Sequence, residues 1–299
     1  MPMQVTDFII CSNEALNDRN CLIKVAPADH RLLPPIQPGQ FVQILVDCLP
    51  NAFLRRPISI NFVDREKNEL WLLIQKVGEG TREMCSRRPG EIMNLIYPLG
   101  NSFTLPERKG CRNEECREEE RLGGEQYEEE RFGKEQHKEV CQEEERNDER
   151  RFLLVGGGVG TAPLLFLSKE LHARDLQVDF LLGGRSATDI LQRADFEKYG
   201  TLYCTTEDGS LGERGFVTHH SLWQEKRYDF IYTCGPKPMM VAVAGFARER
   251  GIPCEASLEN LMACGFGACL CCIEKTTRGN LNTCTEGPVF NTDMLTWLD

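Results

Sequence analysis

The stretch RFLLVGGGVGTAPLLFL, residues 151–167, predicts a buried strand, a glycine-rich turn and a helix in immediate succession. Glycines at such a turn let the backbone approach a pyrophosphate, while the N-terminus of the helix faces its negative charge. The spacing departs from the strict G-x-G-x-x-G pattern, so a tight turn without a ligand remains an alternative. The candidate nucleotide-binding residues are Gly156, Gly157, Gly158, Gly160 and Thr161.

The chain around this stretch, residues 151 to about 250, alternates between strand and helix patterns. Strands are predicted in QVDFLLGG, TLYCTTED and YDFIYTCGP, and helices in TAPLLFLSKELHARD, ATDILQRADFEKYG, HHSLWQEKR and KPMMVAVAGFARERG. This alternation predicts a parallel, doubly wound α/β sheet with crossover helices. Two further strand ends carry small or polar residues, 206–210 and Cys234-Gly235-Pro236, which favours a nucleotide lying across the sheet edge.

Residues 1 to about 102 are typical of an antiparallel β domain. Short apolar or alternating runs recur at CLIKVAP, QFVQILV, ISINFV, ELWLLIQKV and EIMNLIYPLG, and turn-rich pieces separate them. No convincing helix is predicted between them, so the pattern indicates a barrel or a sandwich.

Two motifs in this β domain are suited to phosphate. Arg55 and Arg56 precede Pro57-Ile58-Ser59 at the start of a strand, where an arginine and a hydroxyl can hold a diphosphate. Gly78-Glu79-Gly80-Thr81 predicts a flexible turn with a further hydroxyl. Taken alone, RRPIS is equally typical of a solvated basic edge.

Composition and charge limit the classes of function. The 299-residue chain has a net charge of −11 and is 41% hydrophobic, which suits two domains and disfavours nucleic acid as the main partner. No apolar run approaches a membrane span, and no secretory signal is visible, so we expect a cytoplasmic location. In that compartment, the fifteen cysteines favour a metal or redox site over a disulfide framework.

Residues 107 to 150 change composition abruptly. They hold 17 acidic and 10 basic residues, a net of −7, and contain the imperfect repeat REEERLGGEQ–YEEERFGKEQ. Such a segment has too few apolar residues for a core of its own, which predicts an exposed, charged insertion.

The stretch MACGFGACLCC, residues 262–272, gathers four cysteines, and Cys284 follows. The spacing Cys264-x4-Cys269-x2-Cys272 is that of plant-type [2Fe–2S] sites, with Cys284 as the fourth ligand. A structural zinc held by four cysteines is the alternative, although zinc ribbons usually use two close cysteine pairs. Cys271, between two proposed ligands, is interpreted as a bystander, with a spare ligand as the alternative.

Together, R-P-x-S, GGGVGTAPL, CGPKPMM and MACGFGACLCC…CTEGPVF resemble the electron-transfer subunit of B-type dihydroorotate dehydrogenase, within the ferredoxin–NADP reductase superfamily. The resemblance covers nearly the whole chain apart from the insertion. It implies a mixed fold: an antiparallel β-barrel for FAD, an α/β domain for NAD and a small C-terminal [2Fe–2S] module. We expect the chain to divide into residues 1–102, the charged insertion 103–150, and then 151–253 and 254–299. The insertion is a departure from the family pattern.

The resemblance also implies roles for individual residues. FAD would be held by Arg56, Pro57, Ile58, Ser59, Leu73, Ile74, Gln75, Gly80 and Thr81. NAD would be held by the glycine loop with Gly235 and Pro236, and Cys234 would lie near the nicotinamide–flavin contact. The cluster ligands would be Cys264, Cys269, Cys272 and Cys284.

The implied function is electron transfer from a catalytic FMN subunit that oxidises dihydroorotate in pyrimidine (UMP) biosynthesis, through [2Fe–2S] and FAD to NAD+. Two such pairs would form a heterotetramer. The alternatives within the superfamily are an NAD(P)H–ferredoxin oxidoreductase small subunit or an oxygenase reductase. For these, Arg185 would favour a 2′-phosphate and hence NADP, although a lone surface arginine is the preferred interpretation. The alternative of another class is a non-catalytic redox-sensing or zinc-stabilised binding module.

Overall fold

The computed structural model describes residues 3–47, 54–107 and 150–298, so the predicted charged insertion lies almost entirely outside the described residues. The N-terminal part is a closed six-stranded barrel in the order β1-β2-β5-β4-β3-β6, with every pairing antiparallel. The strands are β1 (Gln4–Ala15), β2 (Asn20–Pro27), β3 (Phe41–Ile44), β4 (Arg56–Asp64), β5 (Glu69–Gln75) and β6 (Ile92–Leu99). The predicted barrel is confirmed.

A helix follows β5 where the sequence analysis expected only a flexible turn. Helix α1 (Glu79–Ser86) begins at the Gly78-Glu79-Gly80-Thr81 motif, so that expectation was wrong. The Thr81 hydroxyl accepts the backbone N–H groups of Val77 and Gly78 at 2.9 and 3.0 Å, which stabilises the first turn. The motif is therefore a helix N-terminus, where free backbone N–H groups and the helix dipole favour an anion.

The second part is a seven-stranded sheet in the order β10-β9-β8-β7-β11-β12-β15. All neighbours pair in parallel except β12 with β15, so the doubly wound prediction is confirmed. The strands are β7 (Arg151–Gly157), β8 (Gln177–Gly184), β9 (Thr201–Thr206), β10 (Glu213–Arg214), β11 (Phe230–Cys234), β12 (Cys254–Ser257) and β15 (Val289–Asn291).

Two long helices pack against this sheet, α2 (Ala162–His172) and α5 (Lys237–Glu249), both as predicted. The other two helix patterns form only single turns, α3 (Arg193–Phe196) and α4 (Leu222–Glu225). None of the described helices combines the length and apolar character needed to cross a membrane.

The cysteine-rich segment lies between two strands of the large sheet. It contains the hairpin β13 (Ile273–Thr276) and β14 (Gly279–Asn282), and β12 and β15 flank it on either side. The end of the chain is therefore anchored to the α/β sheet at both ends of the cysteine-rich segment.

The barrel and the α/β sheet touch through both apolar and polar contacts. Phe166 of α2 belongs to the same apolar cluster as the barrel core. The Asn61 side chain of β4 donates to the Ala162 carbonyl at 3.1 Å, and Arg19 of the β1–β2 turn forms an ion pair with Asp189 after β8. These contacts fix the barrel beside the carboxyl end of the sheet.

Cys21 of β2 and Cys85 of α1 form a disulfide, with their Cα atoms 6.1 Å apart. The sequence analysis did not identify this pair, because 64 residues separate the two cysteines and their spacing matches no motif. The bond connects the helix that begins at the Gly78–Thr81 motif to the barrel wall.

Candidate cofactor sites

A cavity of about 580 Å³ lies where the carboxyl ends of the parallel strands meet the barrel. Its sheet side includes the glycine loop after β7 and residues after β8, β9 and β11, as expected for a nucleotide site at a strand-order reversal. Its barrel side includes Arg19, Asn20 and Gln75. The cavity therefore joins the two predicted cofactor domains.

Close backbone packing explains the glycines of this loop. A Cβ atom at Gly160 would lie 2.4 Å from the Gly235 Cα and 2.6 Å from its nitrogen, so the loops after β7 and β11 touch only because both residues are glycines. Gly158 has a φ of +57°, and a Cβ there would meet nothing within 4 Å, which leaves its backbone open to a ligand. The structure brings these predicted residues together.

Two polar atoms in the cavity wall have no partner among the described residues. The Asn20 Oδ1 and Thr205 Oγ1 atoms are buried, and neither makes a hydrogen bond. Because buried polar groups in proteins are normally hydrogen-bonded, these two atoms indicate a polar ligand in the cavity. Both residues were missed by the sequence analysis.

Cys234, at the end of β11, is fully buried. Burial, together with the nearby Glu259 carboxylate, raises the pKa of its thiol well above the usual value, despite a hydrogen bond with Ser257 that lowers it. The thiol is therefore protonated at neutral pH, which disfavours a nucleophilic role. Hydride transfer between cofactors needs no protein nucleophile.

The proposed FAD residues lie on adjacent elements of the barrel. Arg56 begins β4, and its guanidinium covers the start of α1: a Cβ at Gly80 would lie 3.0 Å from the Arg56 Nε atom. An arginine beside the N-terminus of a helix is well suited to a diphosphate. In the next strand, Gln75 pairs with Asn20 of β2, which connects the diphosphate region to the shared cavity.

The four predicted cluster cysteines approach one another in two pairs. Cys264 lies beside Cys269, and Cys284 beside Cys272, close enough for each neighbour to change the pKa of the thiol. Among the described residues, no three His, Cys, Asp or Glu groups are arranged to hold a single metal ion. Paired thiols suit a cluster in which each of two irons takes two thiolates.

Backbone N–H groups of the cysteine loop point at the sulfurs. Gly267 donates to the Cys284 Sγ at 3.1 Å and Phe266 to the Cys264 Sγ at 3.5 Å. Although burial opposes it, such donors from residues 266, 268 and 269 lower the pKa of Cys264 to about 7. Burial and the neighbouring thiols raise the pKa of Cys284 to about 12. Gly267, with a φ of +84°, supplies the turn that positions these donors.

The cluster loop packs directly against the barrel. Cys272 and Cys284 are buried in one apolar cluster with Phe41 of β3 and Leu99 of β6. Cys264 is half-buried, whereas Cys269 and Cys271 are exposed. The candidate iron–sulfur site therefore lies against the barrel, which also carries the proposed FAD residues.

Comparisons with known proteins agree with this arrangement. The family model for the iron–sulfur cluster binding domain of dihydroorotate dehydrogenase B matches residues 259–296, and the oxidoreductase NAD-binding domain matches residues 154–245. The nucleotide cleft and the iron–sulfur domain thus define an oxidoreductase that uses NAD and an iron–sulfur cluster.

Sequence relatives identify the family within this class of oxidoreductases. The dihydroorotate dehydrogenase B (NAD(+)) electron transfer subunit of Shouchella clausii is 34% identical over 85% of this chain and 84% of its own length. The subunit of the same name from Lysinibacillus sphaericus is 33% identical, with 87% of both chains covered. The chain therefore belongs to the family of dihydroorotate dehydrogenase B electron transfer subunits, and the suspected resemblance is confirmed.

Solved structures support the fold alone. An NADH-dependent reduced ferredoxin–NADP oxidoreductase structure matches with a TM-score of 0.76 at 23% identity, over 97% of this chain and 90% of the other. The ferredoxin reductase of carbazole 1,9a-dioxygenase gives 0.60 at 19% identity, over 85% and 68%.

Proposed function

We propose that this chain transfers electrons from a dihydroorotate-oxidising FMN subunit to NAD+ in pyrimidine (UMP) biosynthesis. The observation that carries the proposal is the packing of Cys272 and Cys284 against Phe41 of the FAD barrel, on whose other side the nucleotide cavity opens. When bound, the cluster supplies one-electron transfer, and FAD supplies the conversion between single electrons and a hydride.

The residues of this chain hold and orient the groups. Cys264, Cys269, Cys272 and Cys284 bind the cluster, and Cys271 does not. Arg56 and the N-terminus of α1 bind the FAD diphosphate, together with Pro57, Ile58, Ser59, Leu73, Ile74, Gln75, Gly80 and Thr81. The loops Gly156–Thr161 and Cys234–Pro236 bind NAD. The protein divides into residues 1–102, 103–150, 151–253 and 254–299.

An exposed apolar surface beside the cluster loop is the proposed contact with the catalytic subunit. Leu261, Phe266, Leu270 and Ile273 are 84%, 49%, 59% and 39% exposed. Apolar side chains grouped in this way are typical of protein interfaces. We propose that two chains of each kind assemble in the cytoplasm as a heterotetramer.

The proposal is tested by quantifying FAD, iron and acid-labile sulfide in anaerobically purified protein, with zinc measured on the same sample. We expect one FAD, two irons and two sulfides per chain, by the chemistry of [2Fe–2S] sites. Reduction with dihydroorotate in the presence of the catalytic subunit should then yield NADH. Zinc without sulfide or flavin would overturn the redox assignment.

One substitution tests the ligand assignment. Cys269→Ser should remove the visible absorption of the cluster, because a serine hydroxyl replaces a thiolate ligand. An unchanged cluster spectrum in this variant would rule out Cys269 as a ligand.

A further inference from the structure

Gln43 is a fully buried polar residue in the middle of β3, and its amide makes no hydrogen bond. Neither Nε2 nor Oε1 has a partner among the described residues. Most buried polar side-chain atoms in folded proteins are paired, so an amide with two unpaired atoms needs an explanation. The residue stands out in the sequence, because Gln43 is a polar residue within the apolar part of the stretch QFVQILV.

The Gln43 side chain points out of the barrel. Its neighbours Val42 and Ile44 belong to the barrel core, and alternate residues of a strand face opposite sides. Phe41, on the same face as Gln43, packs against Cys272 and Cys284. Gln43 therefore faces the cysteine-rich segment.

The contact with that segment is close. A Cβ atom at Gly265 would lie 2.8 Å from the Gln43 Cγ and 2.9 Å from its Nε2, so the amide lies against the backbone of the residue that follows Cys264. Gly265 also has a φ of +80°, which favours glycine at this position. In the adjacent strand β4, Gln43 pairs with Pro57 of the proposed FAD motif. Gln43 thus lies beside both proposed redox sites.

We propose that Gln43 is a positioning residue for the iron–sulfur cluster. The N–H of its side-chain amide donates a hydrogen bond to a cluster sulfur. The inference rests on the proposed ligand set of Cys264, Cys269, Cys272 and Cys284. Sulfide and thiolate sulfurs accept hydrogen bonds, whereas the unpaired Nε2 is a donor.

The hydrogen bond stabilises the reduced cluster more than the oxidised one. Reduction adds one electron and one negative charge to the cluster, with no bond broken and no proton transferred. A donor close to the sulfurs interacts more strongly with the added charge, and such hydrogen bonds are known to set cluster potentials. Gln43 therefore makes the cluster a better electron acceptor.

The test is a redox titration of the purified holoenzyme, followed by the electron paramagnetic resonance signal of the reduced cluster. Gln43→Met keeps the length of the side chain and removes the donor. We expect its cluster to be about tenfold harder to reduce, a midpoint potential lower by about 59 mV for one electron.

The matched control is Gln40→Met, three residues earlier. The Gln40 amide donates to the Gly100 carbonyl at 3.1 Å, so this change removes an amide that already has a protein partner. The Gln40→Met potential should equal that of the wild type. A fully loaded cluster with an unchanged potential in Gln43→Met would overturn the inference.

A second measurement needs no substitution. Wild-type protein is made with glutamine that carries 15N only in its side-chain amide. The 15N nucleus of Gln43 should then show a hyperfine coupling to the unpaired electron of the reduced cluster. Absence of this coupling in a loaded wild-type cluster would also overturn the inference. Failure of the wild type to hold iron and sulfide would instead overturn the proposed function, so the two failures are distinguishable.

Discussion

Arg185 and Asp189 form an ion pair at the carboxyl end of β8, with 3.2 Å between the Arg185 Nε and the Asp189 Oδ2 atoms. The same aspartate pairs with Arg19 from the barrel through its other carboxylate oxygen. All three residues line the nucleotide cavity. From the sequence, Arg185 was a candidate ligand for the 2′-phosphate of NADP, but in the structure its Nε atom is paired with the Asp189 carboxylate.

We therefore predict that Asp189→Asn weakens the discrimination against NADPH. Without the carboxylate, Arg185 and Arg19 are free to bind a phosphate, and hydrogen bonds to charged groups contribute about 1.5–3 kcal/mol. The ratio of kcat/KM for NADH over NADPH should fall by at least about tenfold, measured with an artificial electron acceptor.

Asp195→Asn is the control for this substitution. Asp195 pairs with Lys198 at 2.7 Å on a helical turn after the cavity loop, and that lysine is largely exposed. In Asp195→Asn, the ratio of kcat/KM for NADH over NADPH should match that of the wild type. An unchanged ratio in Asp189→Asn would show that the ion pair does not set the coenzyme preference.

Cys271 and Cys272 are adjacent in sequence but lie in different environments. Cys272 is 2% exposed and packs against Phe41, whereas Cys271 is exposed. We predict that Cys271→Ser keeps two irons and two sulfides per chain, while Cys272→Ser loses the cluster. Iron and sulfide analysis with the visible spectrum decides the outcome, and cluster loss in Cys271→Ser would reassign the ligand set.

Replacement by alanine should have opposite effects on the free energy of unfolding at Gly160 and at Gly245. A Cβ at Gly160 would lie 2.4 Å from the Gly235 Cα, backbone against backbone, so Gly160→Ala must separate the two loops. We expect a loss of at least about 1 kcal/mol of unfolding free energy, as for overpacking in general, together with weaker NADH binding. Denaturant unfolding and a binding titration measure the two effects.

Gly245 lies in α5, where the nearest atom to an added Cβ is the Leu298 Cδ2 at 3.8 Å. Gly245→Ala should raise the unfolding free energy by about 0.5–1 kcal/mol, because alanine is the better helix former. Equal losses in both variants would contradict the packing argument.

The sequence predicted most of this architecture because its signals are local. The alternating runs identified five of the barrel strands, and RFLLVGGGVGTAPLLFL identified the strand, loop and helix at the nucleotide cavity. The cysteine spacing 264, 269 and 272 also lies within one loop. Helix α1 was missed because it is only eight residues long and buries Gly80, Thr81 and Met84, too few residues to show a helical period.

Contacts between distant segments left no such signal. The Gln43–Gly265 contact, the Arg19–Asp189 ion pair and the Cys21–Cys85 bond each join residues that belong to different motifs or to none. Only the closed barrel and its packing on the sheet bring these residues together. The unusual residue types were visible in the sequence, but their partners were not.

Glu259 follows β12 and lines the nucleotide cavity, so its side chain is open to the cavity although protein surrounds it on the other sides. Although the side chain is exposed to the cavity, the protein atoms around it partly desolvate the carboxyl group and raise its pKa above the usual value. An unfolded glutamate has a pKa of about 4.3. As pH rises from this value toward the higher folded pKa, the unfolded chain loses its proton first, so Glu259 lowers the stability of the folded protein over this interval.

We predict that Glu259→Gln removes this dependence. The measurement uses protein loaded with FAD and cluster, without added nucleotide. The melting temperature of the variant minus that of the wild type should be larger at pH 7 than at pH 4.5. Glu66→Gln, at an exposed turn of the barrel, should show no such difference between the two pH values. A Glu259→Gln variant whose relative melting temperature is the same at both pH values would mean that the cavity leaves this carboxylate as well hydrated in the folded protein as in the unfolded chain.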